Sequence, residues 1–417
     1  MSQPLLLMGV VILICIVMNR FIQRLAVPSL LIFIALGMLF GENGLFCIPF
    51  DDYQVSSIIC SVSLIFIMFY GGFGTNLSAA RPVLAKSILL STVGVALTAG
   101  LCGLFVHLVL GLALYESLLI GAVISSTDAA SVFNILRTNR LSLKYGSASL
   151  LEIESGSNDP VSYMLTVILV SLLAGESVSV PFMLLSQVAI GILCGVVIGK
   201  LAILLLSRLT FSDEHGKTIL VFAVVLVSYA LPDCLGGNGY LSAYLCGILM
   251  GNSSIAHKRQ LIHFFDVVTD ISQVIIFFLL GLLVTPAELP AVFVPALCIM
   301  VFLTLIARPA AVFALLLPFR SPLRQIGIVS WAGLRGAASI VFAIFAVLGG
   351  AHTSYNLFNL VFCIVLLSIA LQGTLLPWVS RKLDMIDPAE DVSKTFNDYQ
   401  EENDVDFVKV HIESGHP

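Results

Sequence analysis

The feature that most constrains the fold is a succession of apolar runs of about 20 residues, which continues from near residue 4 to near residue 380. Only helices and closed barrels satisfy their backbone hydrogen bonds in lipid, and runs of this length favour helices. The composition agrees, because 11% of the 417 residues are charged and the mean hydropathy is +1.05. Soluble domains carry about 25% charged residues. We therefore predict an all-α polytopic membrane protein.

The hydropathy pattern predicts about 13 transmembrane helices within residues 1–380. They are expected near residues 4–19, 27–41, 55–72, 87–111, 115–136, 148–174, 181–207, 217–232, 239–252, 262–284, 291–318, 325–349 and 355–380. Residues 381–417 are polar and acidic, and we expect them to form a short cytoplasmic tail without a folded core.

Basic residues alternate between the connections of these spans. Every second connection carries Lys or Arg, fifteen residues in all, whereas the intervening connections carry acidic residues and no Lys or Arg. Because cytoplasmic loops are enriched in Lys and Arg, the pattern predicts an external N-terminus and a cytoplasmic C-terminus in the plasma membrane. The first apolar run lacks a small-residue cleavage site, so we expect it to be a retained span. Nothing in the sequence suggests nucleic-acid binding, and the nine cysteines show no metal-binding spacing.

Three acidic residues, Asp128, Glu154 and Asp159, interrupt the apolar sequence between residues 121 and 160. A carboxylate at membrane depth costs at least about 2.5–3.5 kcal/mol on insertion scales, so it persists mainly where it is paired, hydrated or functional. Three such residues on two neighbouring spans predict a functional site.

Two of the predicted spans are interrupted in the middle. In the fifth, the polar run Ser125–Asp128 separates two apolar segments, and Asp128 would lie at the positive N-terminal end of the second half-helix. In the twelfth, two glycines flank Arg335. Discontinuous helices at corresponding positions of two halves indicate a transporter site near the membrane midplane. The odd offset of the two spans predicts inverted repeats, about residues 1–174 and 217–380.

Four polar residues of the sixth span offer oxygen atoms at helical spacing. Ser155 and Asp159 share one face of the helix, and Glu154 and Asn158 share the neighbouring face. Hydroxyl, amide and carboxylate oxygens suit a hard alkali cation, and the absence of nearby His or Cys argues against a transition metal. A carboxylate near the midplane can also carry a proton. A site that holds either ion, but not both, is sufficient for obligatory exchange.

At these residues the chain resembles the monovalent cation/proton antiporter superfamily, in its NhaP-like branch of sodium or potassium/proton antiporters. The matching segments are SSTDAASVF (125–133), LEIESGSNDP (151–160), LIARPAAVF (305–313) and WAGLRGAAS (331–339). The resemblance implies exchange of Na⁺, K⁺ or Li⁺ for H⁺ by a homodimer. It also implies two crossed discontinuous helices in a core bundle that moves against an interface bundle.

The resemblance further implies the ligands of the transported ions. Asp159 is expected to bind the cation or the proton, with Thr127 and Ser155 as further oxygen ligands and Asn158 beside it. Asn158 stands where electrogenic relatives have a second Asp, so the site resembles that of the one-for-one, electroneutral members.

Four other residues are assigned by the same resemblance. Asp128 corresponds to the broken-helix Asp, which is expected to take part in transport with Asp159. Glu154 corresponds to the acidic partner of Arg308, and Arg335 would offset the negative helix end at the second break. Tyr70 is a departure, because many relatives have an acidic residue just before the glycines that follow it.

Three other functions could use similar residues. A cation channel would show a repeated filter loop or rings of like residues, and this sequence has neither. An organic-anion symporter would direct broken-helix N-termini at a substrate carboxylate, which the dense carboxylates here would repel. An intramembrane aspartyl protease would need a glycine-rich context around its Asp residues. We therefore expect a transporter and not an enzyme, with no cofactor beyond the transported ions.

Overall fold

The structure is a computed structural model, which describes residues 29–387 except 43, 46–49, 51, 140, 177–178, 210–213, 256–257 and 352, together with Gly9 and Leu13. The helices of the flanking bundle are α1 (Ser29–Phe40), α2 (Tyr53–Gly74), α7 (Val180–Arg208), α8 (Glu214–Cys234), α9 (Gly239–Gly251) and α10 (Lys258–Leu283). The helices of the core bundle are α3 (Leu84–Leu110), α4 (Leu114–Val123), α5 (Ala129–Thr138), α6 (Ser147–Leu173), α11 (Pro286–Phe319), α12 (Leu323–Trp331), α13 (Ala337–Leu348) and α14 (Leu357–Lys382).

Each predicted span from the second to the thirteenth corresponds to one described helix or to two half-helices. By length and composition, seven of the described helices could cross a membrane, and four shorter apolar helices accompany them. The expected first span, residues 4–19, and the tail from residue 388 onward lie outside the described residues. Within the described part, the prediction of an all-α polytopic protein is confirmed.

Close helix packing holds the flanking bundle together and joins it to the core bundle. In the flanking bundle, α1 packs on α10 and α2 packs on α9 and α10. A Cβ atom added to Gly281 would lie only 2.9 Å from the Cα atom of Gly37, so these backbones approach closely. Small residues stabilise membrane helix pairs in this way, because lipid supplies no hydrophobic drive for their association. The two bundles meet where α13 packs on α2 and α6 packs on α9.

Both predicted helix interruptions are present in the core bundle. The first lies between α4 and α5, and the second lies between α12 and α13. Broken helices leave backbone groups that must find partners inside a membrane protein. Here each break provides a hydrogen-bond partner for the other, because the backbone N–H of Asp128 donates a 2.8 Å hydrogen bond to the carbonyl oxygen of Leu334.

Candidate functional site

Arg335, in the second break, lies against the end of the first interrupted helix. Its Nη1 atom donates hydrogen bonds of 2.7 Å to the carbonyl oxygens of both Ser125 and Ser126, just beyond the end of α4. The terminal carbonyls of a helix carry partial negative charge, which a buried guanidinium stabilises. The expectation places Arg335 at the helix end of the second break, whereas the hydrogen bonds of its guanidinium reach the helix end of the first. Because the two breaks cross, the side chain of Arg335, which belongs to the second break, contacts the backbone of the first break.

Asp128 caps the second half-helix, α5. Its Oδ1 atom accepts a 3.2 Å hydrogen bond from the backbone N–H of Ser131, and its Oδ2 atom accepts one from the Ser131 hydroxyl. Such bonds satisfy the free N–H groups of the first helical turn, and the helix dipole stabilises the carboxylate there. The carboxylate also lies directly against Gly336, where an added Cβ atom would overlap with it. Asp128 is thus held between its own helix and the second break.

Asp159 lies on α6 beside the first break. The hydroxyl of Ser126 donates a hydrogen bond to its Oδ1 atom. The residue is 8% exposed, whereas the adjacent Asn158 is fully buried. Among the described residues, no Lys or Arg side chain lies within ion-pair distance of the Asp159 carboxylate. Its negative charge is therefore available to a mobile ion.

Thr127, Ser155 and Asn158 connect the first break to α6. The Ser155 hydroxyl donates a 2.5 Å hydrogen bond to the carbonyl oxygen of Thr127, and Asn158 Nδ2 donates one of 2.5 Å to Thr127 Oγ1. The Asn158 Oδ1 atom accepts a 3.4 Å bond from the Thr127 N–H. These bonds place the break, and with it Ser126, next to Asp159.

Glu154 and Arg308 form a buried ion pair. Arg308 Nη2 lies 2.5 Å from Glu154 Oε1, and both side chains are almost fully buried. A Cβ atom added to Gly333 would lie 3.0 Å from Arg308 Nε, so the guanidinium fills the space beside the second break. The pair connects α11, α6 and the second break, and its charges compensate one another.

Tyr70 pairs with an acidic residue on a neighbouring helix. Its hydroxyl donates a 2.8 Å hydrogen bond to Asp266 Oδ1, which connects α2 to α10 within the flanking bundle. Although α2 has Tyr70 where many relatives have an acidic residue, a carboxylate still contacts this position, because α10 contributes Asp266.

The sequence reasoning missed Ser126 as a neighbour of Asp159. The signal was available, since Ser126 belongs to the same polar run as Thr127 and Asp128. Helical periodicity cannot assign a direction to a side chain inside a break, because the backbone there has no regular repeat. The position of Ser126 is set by the bonds that join Thr127 to α6.

The site combines one available carboxylate with a hydroxyl that is both a donor and an acceptor. A serine hydroxyl can donate to an ionised carboxylate or present its oxygen lone pairs to a cation. Carboxylate and hydroxyl oxygens are ligands that hard cations prefer. The Asp159 carboxylate can therefore hold either a proton or a monovalent cation.

Known proteins resemble the chain over most of its length. The profile of the family described as "Sodium/hydrogen exchanger, transmembrane" matches residues 9–382. The K(+)/H(+) antiporter NhaP of Alkalimonas amylolytica is 39% identical over 392 residues, which cover 93% of this chain and 68% of that protein. The K(+)/H(+) antiporter NhaP2 of Shewanella sp. (strain ANA-3) is 39% identical over 365 residues, which cover 86% of this chain and 63% of that protein. The chain thus spans about two thirds of the length of these relatives.

The fold is similar to that of a protein of known structure. The structure of the sodium proton antiporter MjNhaP1 from Methanocaldococcus jannaschii at pH 8 superimposes with a TM-score of 0.80 at 21% sequence identity, and the match covers 92% of this chain and 99% of that one. The match supports the predicted antiporter fold, and the family profile supports the predicted resemblance. The chain belongs to the sodium/hydrogen exchanger family of membrane transporters.

Proposed function

We propose that the chain exchanges a monovalent cation for H⁺ across a membrane, with Asp159 as the group that binds the two ions in turn. The observation that carries this proposal is the difference between three carboxylates of the core bundle, those of Asp128, Glu154 and Asp159. The charge of Glu154 is compensated by Arg308, and that of Asp128 is stabilised at the start of α5. Asp159 has a hydroxyl neighbour and no basic partner in the described residues.

Exchange follows from competition at this carboxylate. A proton neutralises Asp159 by binding covalently to the carboxylate. A cation neutralises it by coordination, with oxygen atoms of Ser126 and of the neighbouring Thr127 and Ser155 as further ligands. Either ion removes the unpaired negative charge whose passage through the membrane is costly. The unloaded core bundle would carry that charge, so movement without an ion is disfavoured and the two fluxes are coupled.

Potassium is the first cation to test. The relatives from Alkalimonas amylolytica and Shewanella sp. (strain ANA-3) are both named as K⁺/H⁺ antiporters. The ligands proposed here are hydroxyl and carboxylate oxygens, which suit Na⁺ as well as K⁺, and Li⁺ is a third candidate. The proposed transport needs no enzymatic step and no cofactor apart from the transported ions.

The proposed arrangement in the membrane follows the charge pattern. Basic connections face the cytoplasm of a plasma-membrane protein, with the N-terminus outside and the acidic tail inside. The flanking bundle would form the contact of a homodimer, and the core bundle would move against it. Residues 1–380 form the transport domain, built from inverted repeats of about residues 1–174 and 217–380, with 381–417 as the tail.

The deciding experiment is cation-driven proton flux in proteoliposomes. A K⁺ or Na⁺ pulse should drive H⁺ out of vesicles that contain the wild-type protein and should fail to do so with Asp159→Asn. Asp52→Asn is a matched control, because Asp52 is an exposed cap of α2 and Asn also caps helices. Near-normal flux with Asp159→Asn would contradict the assignment of Asp159, and no flux with wild-type protein for any of the three cations would contradict the function.

A further inference from the structure

Helix α9 of the flanking bundle contacts α6 on both sides of Asp159. On one side, its N-cap residue Asn238 and its first-turn residue Tyr240 reach Pro160 and Tyr163. On the other side, one turn further along α9, Tyr244 reaches Gly156. Because α6 belongs to the core bundle, each of these contacts crosses the boundary between the bundles.

Asn238 makes the polar contact of this set. Its Oδ1 atom accepts a 3.0 Å hydrogen bond from the Leu241 N–H and so caps α9, while its Nδ2 atom donates a 2.7 Å bond to the carbonyl oxygen of Pro160. The side chain is buried, so water cannot replace a partner that moves away. The bond to Pro160 cannot persist if α6 slides past α9.

Aromatic rings close the same side of Asp159. The Tyr163 ring lies edge-to-face on Tyr240 with centroids 4.9 Å apart, and it also contacts Phe342 and Phe345 of α13 at 5.6 and 5.5 Å. Tyr229 of α8 packs on Tyr240 at 4.9 Å. Rings in such arrangements attract one another beyond the burial of their area. The cluster joins both bundles one helical turn beyond Asp159.

The other side of Asp159 is contacted differently. A Cβ atom added to Gly156 would lie 2.7 Å from the Cε2 atom of Tyr244 and 3.0 Å from its hydroxyl, so the Tyr244 ring occupies the place of a missing side chain. Gly156 and the adjacent Ser157 are partly exposed, whereas Pro160 and Tyr163 are buried. On this side Gly156 contacts the Tyr244 ring, whereas the cluster on the other side contains five aromatic side chains.

We propose that the Asn238–Pro160 hydrogen bond and the Tyr240–Tyr163 contact form a latch that closes the external side of Asp159 in this conformation. The latch separates whenever Asp159 becomes accessible from that side. The proposal rests on the proposed function and orientation, since the C-terminal half of α6 then points outward. Weakening the latch shifts the population toward the outward-facing state, because it removes contacts that only the present state makes.

The test uses Asn238→Ser, which keeps a capping oxygen for α9 but is too short to reach Pro160. The half-saturating K⁺ concentration is measured in right-side-out and in everted membrane vesicles. A more populated outward state lowers the external value and raises the internal one, and the ratio of external to internal values should fall about fivefold. Asn252→Ser is the matched control, because Asn252 at the other end of α9 donates a 2.7 Å bond to Thr75 within the flanking bundle.

A second readout does not depend on the transported ion. Hydrogen–deuterium exchange in detergent should increase around residues 160–166 in Asn238→Ser more than in Asn252→Ser. If Asn238→Ser does not accumulate, Tyr240→Leu should give the same changes, and Tyr240→Phe, which keeps the ring, should not. An unchanged affinity ratio, or exchange no faster than in the control, overturns the latch. Absence of wild-type flux would instead count against the proposed function, and the exchange data would still decide the latch.

Discussion

The hydroxyl of Ser126 donates a hydrogen bond to the carboxylate of Asp159, although the two residues belong to different elements of the core bundle. Ser155, one helical turn before Asp159, donates to the carbonyl oxygen of Thr127. The two serines therefore differ in role. Ser126 contacts directly the carboxylate that is proposed to bind the ions, whereas Ser155 also holds the break that carries Ser126.

The first prediction separates these roles. Ser126→Ala should weaken apparent cation affinity about tenfold, because it removes a proposed oxygen ligand of the cation, a contact comparable to a hydrogen bond to a charged group, which contributes about 1.5–3 kcal/mol. Ser126→Thr keeps the hydroxyl and should retain most of the affinity. Ser155→Ala should lower the melting temperature more than it changes the affinity. Half-saturating K⁺ or Na⁺ concentrations for proton flux, measured with thermal melts of the same samples, distinguish the variants. Equal apparent cation affinities for Ser126→Ala and the wild type would show that Ser126 is not a ligand of the cation.

The second prediction concerns the Glu154–Arg308 ion pair. Glu154→Gln and Arg308→Ala should each lower the free energy of unfolding by about 3–5 kcal/mol, because each leaves an uncompensated buried charge. Arg324→Ala is the control, since Arg324 forms an exposed pair with Asp384, and exposed pairs contribute little to stability. Thermal melts in detergent measure the three variants. Wild-type stability of either core variant would show that the pair does not stabilise the fold.

The sequence predicted the helix breaks because their cause is local. The residues Ser125–Asp128 are polar, and two glycines accompany the charged Arg335, so neither run can continue an apolar helix without cost. A buried Arg also required an acidic partner, and the structure brings Glu154 to Arg308. The partner of Arg335 could not be predicted in this way. Its guanidinium binds backbone carbonyls of another break, and only the crossing of the two helices brings them together.

The third prediction concerns the segment that follows α14. Its backbone pairs with the connection before α6, because the N–H of Lys144 donates to Met385 and that of Asp387 donates to Ser142. Asp384 accepts a 3.1 Å hydrogen bond from Lys144 Nζ and a 2.6 Å bond from Arg324 Nη1. The hydrogen bond and positive charge of Lys144, followed by Arg324, hold the pKa of the Asp384 carboxyl below its ordinary value of 3.8.

The sign of the pH dependence follows from this lowered pKa. Asp384 stabilises the fold above its ordinary pKa, and the stabilisation is lost as the pH falls through the lower folded-state value. Asp384→Asn tolerates the left-handed backbone at φ 52° but removes the charge. Its melting temperature should be slightly below wild type at pH 7, and the difference should shrink and disappear as the pH falls through the lowered folded-state pKa of Asp384. A difference that persists in acid would mean that the charge is not the cause.

The last prediction is that exchange is electroneutral, and it follows from the charges around Asp159. Asn158 is uncharged, Glu154 is paired with Arg308, and Asp128 is stabilised as a carboxylate at the start of α5. Asp159 is then the one group whose charge alternates, so the loaded core bundle has the same charge with H⁺ as with K⁺ or Na⁺. A membrane potential of 100 mV, which changes the energy of each transported charge by about 2.3 kcal/mol, should not bias the exchange.

Solid-supported-membrane electrophysiology, together with proton flux at imposed voltages, tests this charge balance. Wild-type vesicles should exchange ions without a sustained current and at a rate that voltage does not change. Asp128→Asn keeps the cap of α5, because Asn also accepts from the first-turn N–H groups, and it should remain electroneutral if it transports. A sustained wild-type current that disappears in Asp128→Asn would show instead that Asp128 carries a second proton. The helix dipole would then be too weak to keep its carboxylate ionised throughout the cycle.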